Sequence, residues 1–396
     1  MASRLNMDTR RRLESNIWKY SLMKFLALFL LCGSIATLYL LDFGYIMFQI
    51  AVYGSIGSAL IFILELPSGL FADLYGRKNS LLIYGWAYLL WIVCLYFGGN
   101  YFLLLLSGIF SGIRLAFRSG ADSALLYDSL KALGREDEHP KISGSSNSWF
   151  LFGIGVSSML GGFLADQYSM GFTILASLIA PLISLIVIYS MEEPAHYRSV
   201  KKKSLKDHIQ EIYRLIHTNK KLVWLTIFFA LMQSSILFTW LYTQVFLGLY
   251  KVSFSMIGTY FFVFLLFAML SSHFYGTLHK LLNDVTLFRL SAIIFCMALF
   301  LMSVPSLALF VLMTICIELV YGSSKPLSNH IINCEVGSEY RATMLSALGF
   351  VGSIFTMILS LIGTYIGDII GAFGLMAGMG VLLAICFFVV LSKVEL

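Results

Sequence analysis

Twelve stretches of this chain run for 18 to 27 residues as predominantly apolar sequence, at 22–41, 46–70, 81–98, 101–126, 142–165, 171–190, 222–248, 254–275, 285–303, 305–327, 341–364 and 370–391. Each is long enough to cross about 30 Å of hydrocarbon as a helix. No water in a bilayer core can satisfy exposed backbone groups, and the stretches are too long and too uniformly apolar for barrel strands, so helices are expected. Composition agrees. Of 396 residues, 59% are hydrophobic and 12% charged, against roughly 25% charged in ordinary soluble domains. That balance excludes a water-soluble domain, a disordered chain, a nucleic-acid-binding protein and a secreted disulfide scaffold. The six cysteines, Cys32, Cys94, Cys296, Cys316, Cys334 and Cys386, form no CxxC pair and no zinc spacing, and read as small apolar residues. Arg10, Arg11 and Arg12 precede the first stretch as in a signal peptide. The stretch is too long for one and lacks a small-residue cleavage site, so an uncleaved first helix is expected.

Basic residues set the orientation. With the amino terminus in the cytoplasm, the inner segments hold nearly all of them, including Arg10 to Arg12, Arg77, Lys78, Arg135, Lys201 to Lys203 and Arg341, whereas the outer loops hold only Lys251. This is the positive-inside pattern, and twelve spans then place both termini in the cytoplasm. One long polar interruption divides the spans six and six. The expected organisation is a cytoplasmic segment 1–21, a six-helix bundle 22–190, a linker 191–221, a second bundle 222–391 and a cytoplasmic end 392–396. The Lys201 to Lys203 run reads as a solvated, orientation-setting linker or as a binder of anionic lipid head groups. A faint repeat supports the division: Gly161 precedes Asp166 by five residues at the outer end of span 5, as Gly363 precedes Asp368 in span 11.

Between spans 2 and 3 the chain reads Gly69, Leu70, Phe71, Ala72, Asp73, Leu74, Tyr75, Gly76, Arg77, Lys78. This resembles the signature G-x-L-A-D-x-x-G-R-K of the major facilitator superfamily, with Phe71 in place of leucine. The segment Ser119 to Asp128, and Arg341, Ala342, Thr343, Leu345 and Ser346, resemble bacterial drug-efflux members of that family. In the second half, Gly276, His279 and Lys280 are only a remnant of the loop. The resemblance implies an all-α membrane fold of twelve helices in two pseudosymmetric six-helix bundles, with spans 1, 4, 7 and 10 lining a central cavity and rocking halves giving alternating access. It also implies gating by Gly69, Asp73, Gly76, Arg77, Lys78, Asp122 and Asp128. Asp73 would meet the amino-terminal end of span 11, and Arg77 acids such as Asp128. The plainer reading is that Arg77 and Lys78 only anchor topology.

Polar residues at helical spacing within apolar spans mark candidate transport residues. In span 4, Ser107, Ser111, Arg114, Arg118 and Asp122 fall on one stripe. A buried arginine costs at least about 2.5–3.5 kcal/mol, so Arg114 and Arg118 need acids, water or an anionic ligand. Either they sit in a fixed network, with Glu318 and Asp122 as partners, or they contact substrate or act in gating. Span 10 carries Thr314, Glu318, Tyr321 and Lys325. Glu318 is the candidate proton-coupling acid, since a carboxyl that alternates between wet and dry surroundings can load and release a proton; a purely structural pair is the alternative. Glu65, before Leu66 and Pro67, is a second intramembrane acid, suited to helix packing, gating or proton carriage. Span 7 offers Gln233, Trp240 and Gln244, where the indole either stacks on a flat ligand or packs between helices.

There is no phosphate loop, HExxH or GxSxG pattern. The chain is therefore expected to be no enzyme and to need no cofactor, with the proton as coupling ion. The expected activity is export of a small amphipathic organic compound, a drug or metabolite, by a proton-coupled secondary transporter. A carrier of an organic or lipid-like anion held by Arg114 and Arg118 is the alternative, and a non-transporting membrane sensor is a rival of another class. The expected partners are a small-molecule substrate and the lipid bilayer but no nucleic acid, the expected state is a monomer, and the expected location is a bacterial cytoplasmic membrane.

Overall fold

The computed structural model describes residues 6–194, 220–335 and 341–393, with side chains described throughout these except at 66, 333–335, 341–347 and 393. The described residues are helical in the main, with no strand among them. Among the described residues, eleven stretches are long and apolar enough to cross a membrane. The last of these, Leu348–Ser392, is 45 residues long, twice what one crossing needs. Its backbone leaves helical geometry at Gly371, where φ is +80°, so it supplies two spans and brings the total to twelve.

The chain divides into two compact units: Met1–Tyr45, Val52–Val200 and Ser253–Phe262 form one; Ile46–Ala51, Lys201–Val252 and Val263–Leu396 form the other. The lysine run at 201–203 lies outside the described residues.

In the first unit, helix α1 spans Met7–Leu26. The Asn6 side chain caps it, Asp8 sits in its first turn and Arg10 pairs with Glu14 at 3.3 Å. These local features carry helix into the basic segment ahead of the first apolar stretch. After Leu26 the helix breaks, resuming as a 3-10 turn at Leu31–Ser34 and as α2 at Ala36–Asp42. Helix α3 (Met47–Tyr75) has its first turn in the second unit and the remainder in the first. Helices α4 (Arg77–Tyr96) and α5 (Tyr101–Arg118) pack closely on one another. A short α6 (Ala121–Leu133) follows, then α7 (His139–Gln167), α8 (Met170–Ala176) and α9 (Ile179–Tyr189).

The second unit contains α10 (Lys220–Leu249), most of α11 (Phe254–Leu281), α12 (Asp284–Leu301), α13 (Leu307–Glu335), α14 (Arg341–Ile358) and α15 (Thr364–Lys393). A five-residue π-helical segment, Leu359–Gly363, joins the last two. Its core is aromatic: Phe229, Phe238, Phe246, Phe288, Phe295 and Phe310 are fully buried. Many buried hydroxyls bond back to their own helix, as Ser234, Ser235, Thr239 and Thr314 do to carbonyls four residues earlier. They need no cavity water. Cys32 and Cys94 are buried as expected, whereas Cys296, Cys316 and Cys386 are only half-buried. Cys334 falls among the undescribed side chains.

The repeat expected from Asp166 and Asp368 has a structural meaning. Asp166, near the end of α7, accepts from the main-chain N–H of Phe254 at 3.0 Å and Ser255 at 2.7 Å, at the start of α11 within the first unit. Asp368 accepts from Met47 at 3.2 Å and Phe48 at 2.9 Å, at the start of α3 within the second unit. Each carboxylate satisfies two N–H groups that a helix start leaves without intrahelical partners.

Candidate functional site

Glu318 lies fully buried on α13. The Trp240 indole N–H, from α10, donates to its Oε1 at 2.7 Å, and its other oxygen, Oε2, is enclosed without a hydrogen bond. The Trp240 ring meets the edge of Tyr321, one turn beyond Glu318, at 5.2 Å between centroids, and the Phe264 ring at 6.2 Å. Three predicted residues of the second unit, Trp240, Glu318 and Tyr321, therefore form one cluster, to which the structure adds Phe264. Gln244 is buried and Gln233 half-buried on the helix that carries Trp240. Thr314 is buried and bonded to its own helix, and Lys325 is exposed, so the span-10 stripe reduces to the Glu318 and Tyr321 pair.

In the first unit, the Arg114 guanidinium lies over the Trp91 ring at 4.4 Å and the Tyr88 ring at 5.0 Å. One of its terminal nitrogens donates to the Ala27 carbonyl at 3.2 Å. That carbonyl belongs to the residue that ends α1, where the helix break leaves acceptors without partners, and the Tyr88 hydroxyl donates to the adjacent Leu26 carbonyl at 3.4 Å. A broken helix inside an apolar bundle is tolerated when side chains take up the freed groups. Arg114 and Tyr88 do this here. Arg114 Nε remains enclosed without a hydrogen bond, as does one terminal nitrogen of Arg118, whose guanidinium sits 5.9 Å from Tyr84 and 5.8 Å from Phe150.

The single stripe expected along span 4 is interrupted. The helix stops at Arg118 and restarts at Ala121, with Gly120 at φ +75° between them, a conformation that favours glycine. Asp122 is thereby turned off the Arg118 face, and it pairs with Lys24 of α1 at 2.7 Å instead of with Arg118. Ser107 is also off the expected path, fully buried and donating to the Trp91 carbonyl across the α4 and α5 contact.

The signature loop is built as an ion network. Arg77 meets Asp73 at 2.6 Å and Asp128 at 3.8 Å, so the contact to Asp128 implied by resemblance is present. Gly76 sits at φ +102°, ending α3 and turning the chain into α4. Glu193, read in the sequence only as linker, accepts from the main-chain N–H of Arg77 at 2.8 Å and Lys78 at 2.6 Å, capping α4. Lys78 donates from its side chain to the Tyr189 carbonyl. Gly69 is half-buried on α3, and Glu65 is exposed on the same helix. The side chains of Arg341, Ala342, Thr343, Leu345 and Ser346 lie outside the described residues.

Sequence reasoning missed Lys24, Glu193 and the aromatic bed of Arg114. The last left a signal, because Tyr88 and Trp91 are three apart on one face of a helix, with Tyr84, which lies beside Arg118, one turn earlier. Nothing local marks Glu193 as a cap, since the helix it serves begins more than a hundred residues earlier.

A family model described as Major Facilitator Superfamily matches residues 20–358. No curated protein matches the chain in sequence. Among solved structures, the nucleoside transporter NupG superposes with a TM-score of 0.79 at 13% identity, covering 95% of this chain and 98% of its own. A bacterial homologue of the human lysosomal transporter Spinster, inward-facing and unoccupied, gives 0.73 at 14% identity and 96% of each chain. The xylose transporter XylE from E. coli, in an inward-open conformation, gives 0.68 at 11% identity and 95% of each. At such identities these likenesses show a shared fold.

Proposed function

The chain belongs to the Major Facilitator Superfamily, and from that premise we propose that it is a proton-coupled secondary transporter of a small amphipathic organic compound. Carriage by alternating access follows from the family. The observation that carries the finer reading is the Glu318 cluster. A buried carboxyl with one oxygen on the Trp240 indole and the other unsatisfied is costly in an apolar setting, by about 2.5–3.5 kcal/mol for the charged form of an acid at a span centre. Such a group has a use where it exchanges a proton, because protonation removes the charge and supplies a donor. The aromatic faces of Trp240, Tyr321 and Phe264 around it suit a flat, partly apolar ligand. Export is the proposed direction, and it rests on the resemblance of the 69–78 and 119–128 segments to efflux-type members.

The test uses proteoliposomes with an imposed pH gradient and a panel of amphipathic compounds. Gradient-driven movement by the parent protein, lost in Glu318→Gln with exchange retained, supports the reading. Gradient-driven movement that survives the substitution removes Glu318 from the proton path.

A second reading is favoured by a separate observation. Arg114 and Arg118 each keep an enclosed nitrogen without a hydrogen bond, and neither forms an ion pair among the described residues. An anionic substrate would satisfy both. If Arg114→Ala impairs anionic, neutral and cationic compounds alike, this reading fails in favour of the structural role at Ala27.

A further inference from the structure

A second cluster, separate from the Glu318 contacts described above, lies where α11, α12 and α13 of the second unit meet. His279 occupies the last turn of α11, Asp284 the first position of α12, and His330 the far part of α13. Only Leu282 and Asn283 separate the first two helices, and the Asn283 side chain caps α12 by accepting from the Thr286 N–H at 2.8 Å. This tight connection brings Asp284 back against His279. His279 Nδ1 stands 2.9 Å from Asp284 Oδ1, and His330 Nε2 stands 3.3 Å from Asp284 Oδ2. The two imidazoles lie 4.8 Å apart between ring centroids.

The closest pair is unusual in one respect. Nδ1 of His279 and Oδ1 of Asp284 are both enclosed, yet neither makes a hydrogen bond despite the 2.9 Å separation. A cation bound between the two atoms would satisfy both at once. Ligands of a tetrahedral zinc ion at about 2.0–2.1 Å stand roughly 3.3 Å from one another, so the 2.9 Å pair is within a few tenths of an ångström of that spacing. One ligand atom from each of the three residues lies within 4.8 Å of the others. The widest separation must shorten to the same spacing, which the half-exposed side chains allow by rotation on binding. The side chains keep 30–42% of their surface, which leaves an entry path and room for water as a further ligand.

We infer that His279, Asp284 and His330 form a binding site for one divalent transition-metal ion, zinc being the best fit, which ties together the ends of three helices of the second unit. Two imidazoles and one carboxylate favour a borderline metal over magnesium or calcium, which prefer oxygen alone. His330 is twelve residues beyond Glu318 on the same helix. An ion there fixes that helix end to its neighbours.

The test uses the full-length protein, purified without a polyhistidine tag, stripped with chelator and titrated with zinc chloride. Expected are one zinc per chain by equilibrium dialysis, a rise in Tm, and zinc-dependent protection of His279 and His330 from diethylpyrocarbonate, read by mass spectrometry. His139 and His273 serve as unprotected controls. His279→Gln, His330→Gln and Asp284→Asn should each weaken zinc binding by at least about 10–100-fold, the loss typical of outer-shell partners alone. The protection readout needs no variant, so it stands even if a substitution disturbs folding. The inference is overturned if stripped protein takes up no zinc at millimolar concentration, if zinc leaves His279 and His330 as reactive as the controls, or if a folded triple variant binds zinc as the parent does. Calcium or magnesium raising the Tm where zinc does not would overturn the assignment of the ion.

Discussion

Asp166 and Asp368 perform the same task in the two halves of the chain: each gives both carboxylate oxygens to the first two main-chain N–H groups of a helix, at 2.7–3.0 Å for Asp166 and 2.9–3.2 Å for Asp368. Each stands five residues after a glycine. A carboxylate at a helix start gains from the partial positive charge there as well as from the hydrogen bonds. Asp166→Asn and Asp368→Asn should each destabilise the protein in detergent by about 1 kcal/mol, with Ala costing more than Asn. The sites share no partners, so the double variant should show the sum, as read by thermal unfolding. A Tm unchanged in both single variants would show these contacts to be energetically idle.

Trp240 and Glu318 should be separable in transport. Trp240→Phe keeps an aromatic face but removes the donor to Oε1, leaving both oxygens of Glu318 without a hydrogen bond. Its pH profile of uptake should shift relative to the parent, whereas Glu318→Gln should lose the pH dependence altogether. Identical profiles in the parent and Trp240→Phe would mean that the indole does not tune the acid.

Glu193 and Gly76 act on the same turn. A Cβ on Gly76 would lie 3.0–3.1 Å from the Glu193 carboxylate, and its φ of +102° strains any L side chain. Gly76→Ala should therefore cost at least about 1–2 kcal/mol. Glu193→Ala removes the acceptor of two helix N–H groups and should cost about 0.5–2 kcal/mol. Because the added methyl group meets the carboxylate itself, the double variant should lose less than the sum of the two, and strict additivity in Tm would count against the contact.

Arg114 tests stacking against charge. Lysine keeps the positive charge but cannot lie flat on Trp91 and Tyr88 while reaching the Ala27 carbonyl. Arg114→Lys should thus fall close to Arg114→Ala in thermal stability, each losing roughly 1–3 kcal/mol. A lysine variant as stable as the parent would assign Arg114 a purely electrostatic role.

Of the candidate residues, those legible in the sequence are the ones whose partners lie nearby on the same helix or whose cost in lipid makes them conspicuous. Glu318 and Tyr321 share a face of one helix, whereas the Arg77 contact with Asp73 spans the turn between two helices and was not expected from the sequence. The Arg118 and Asp122 pairing failed because helical spacing assumes a continuous helix, and the glycine turn at 120 breaks it. Ser107 and Thr314 looked like cavity-lining polar residues, yet Ser107 donates to the Trp91 carbonyl of the neighbouring helix and Thr314 to a carbonyl of its own, so neither needs water.

From the order of residues alone come twelve membrane-crossing stretches and their helical nature, because each follows from hydrophobic length and backbone satisfaction along a local segment. Tertiary structure alone decided that the first span breaks at Ala27 with Arg114 as its partner, that Glu193 caps a helix begun far earlier, and that two histidines and an aspartate converge at one end of the second unit. These depend on which distant atoms meet a group the helix leaves unsatisfied, and no periodicity in the chain records that.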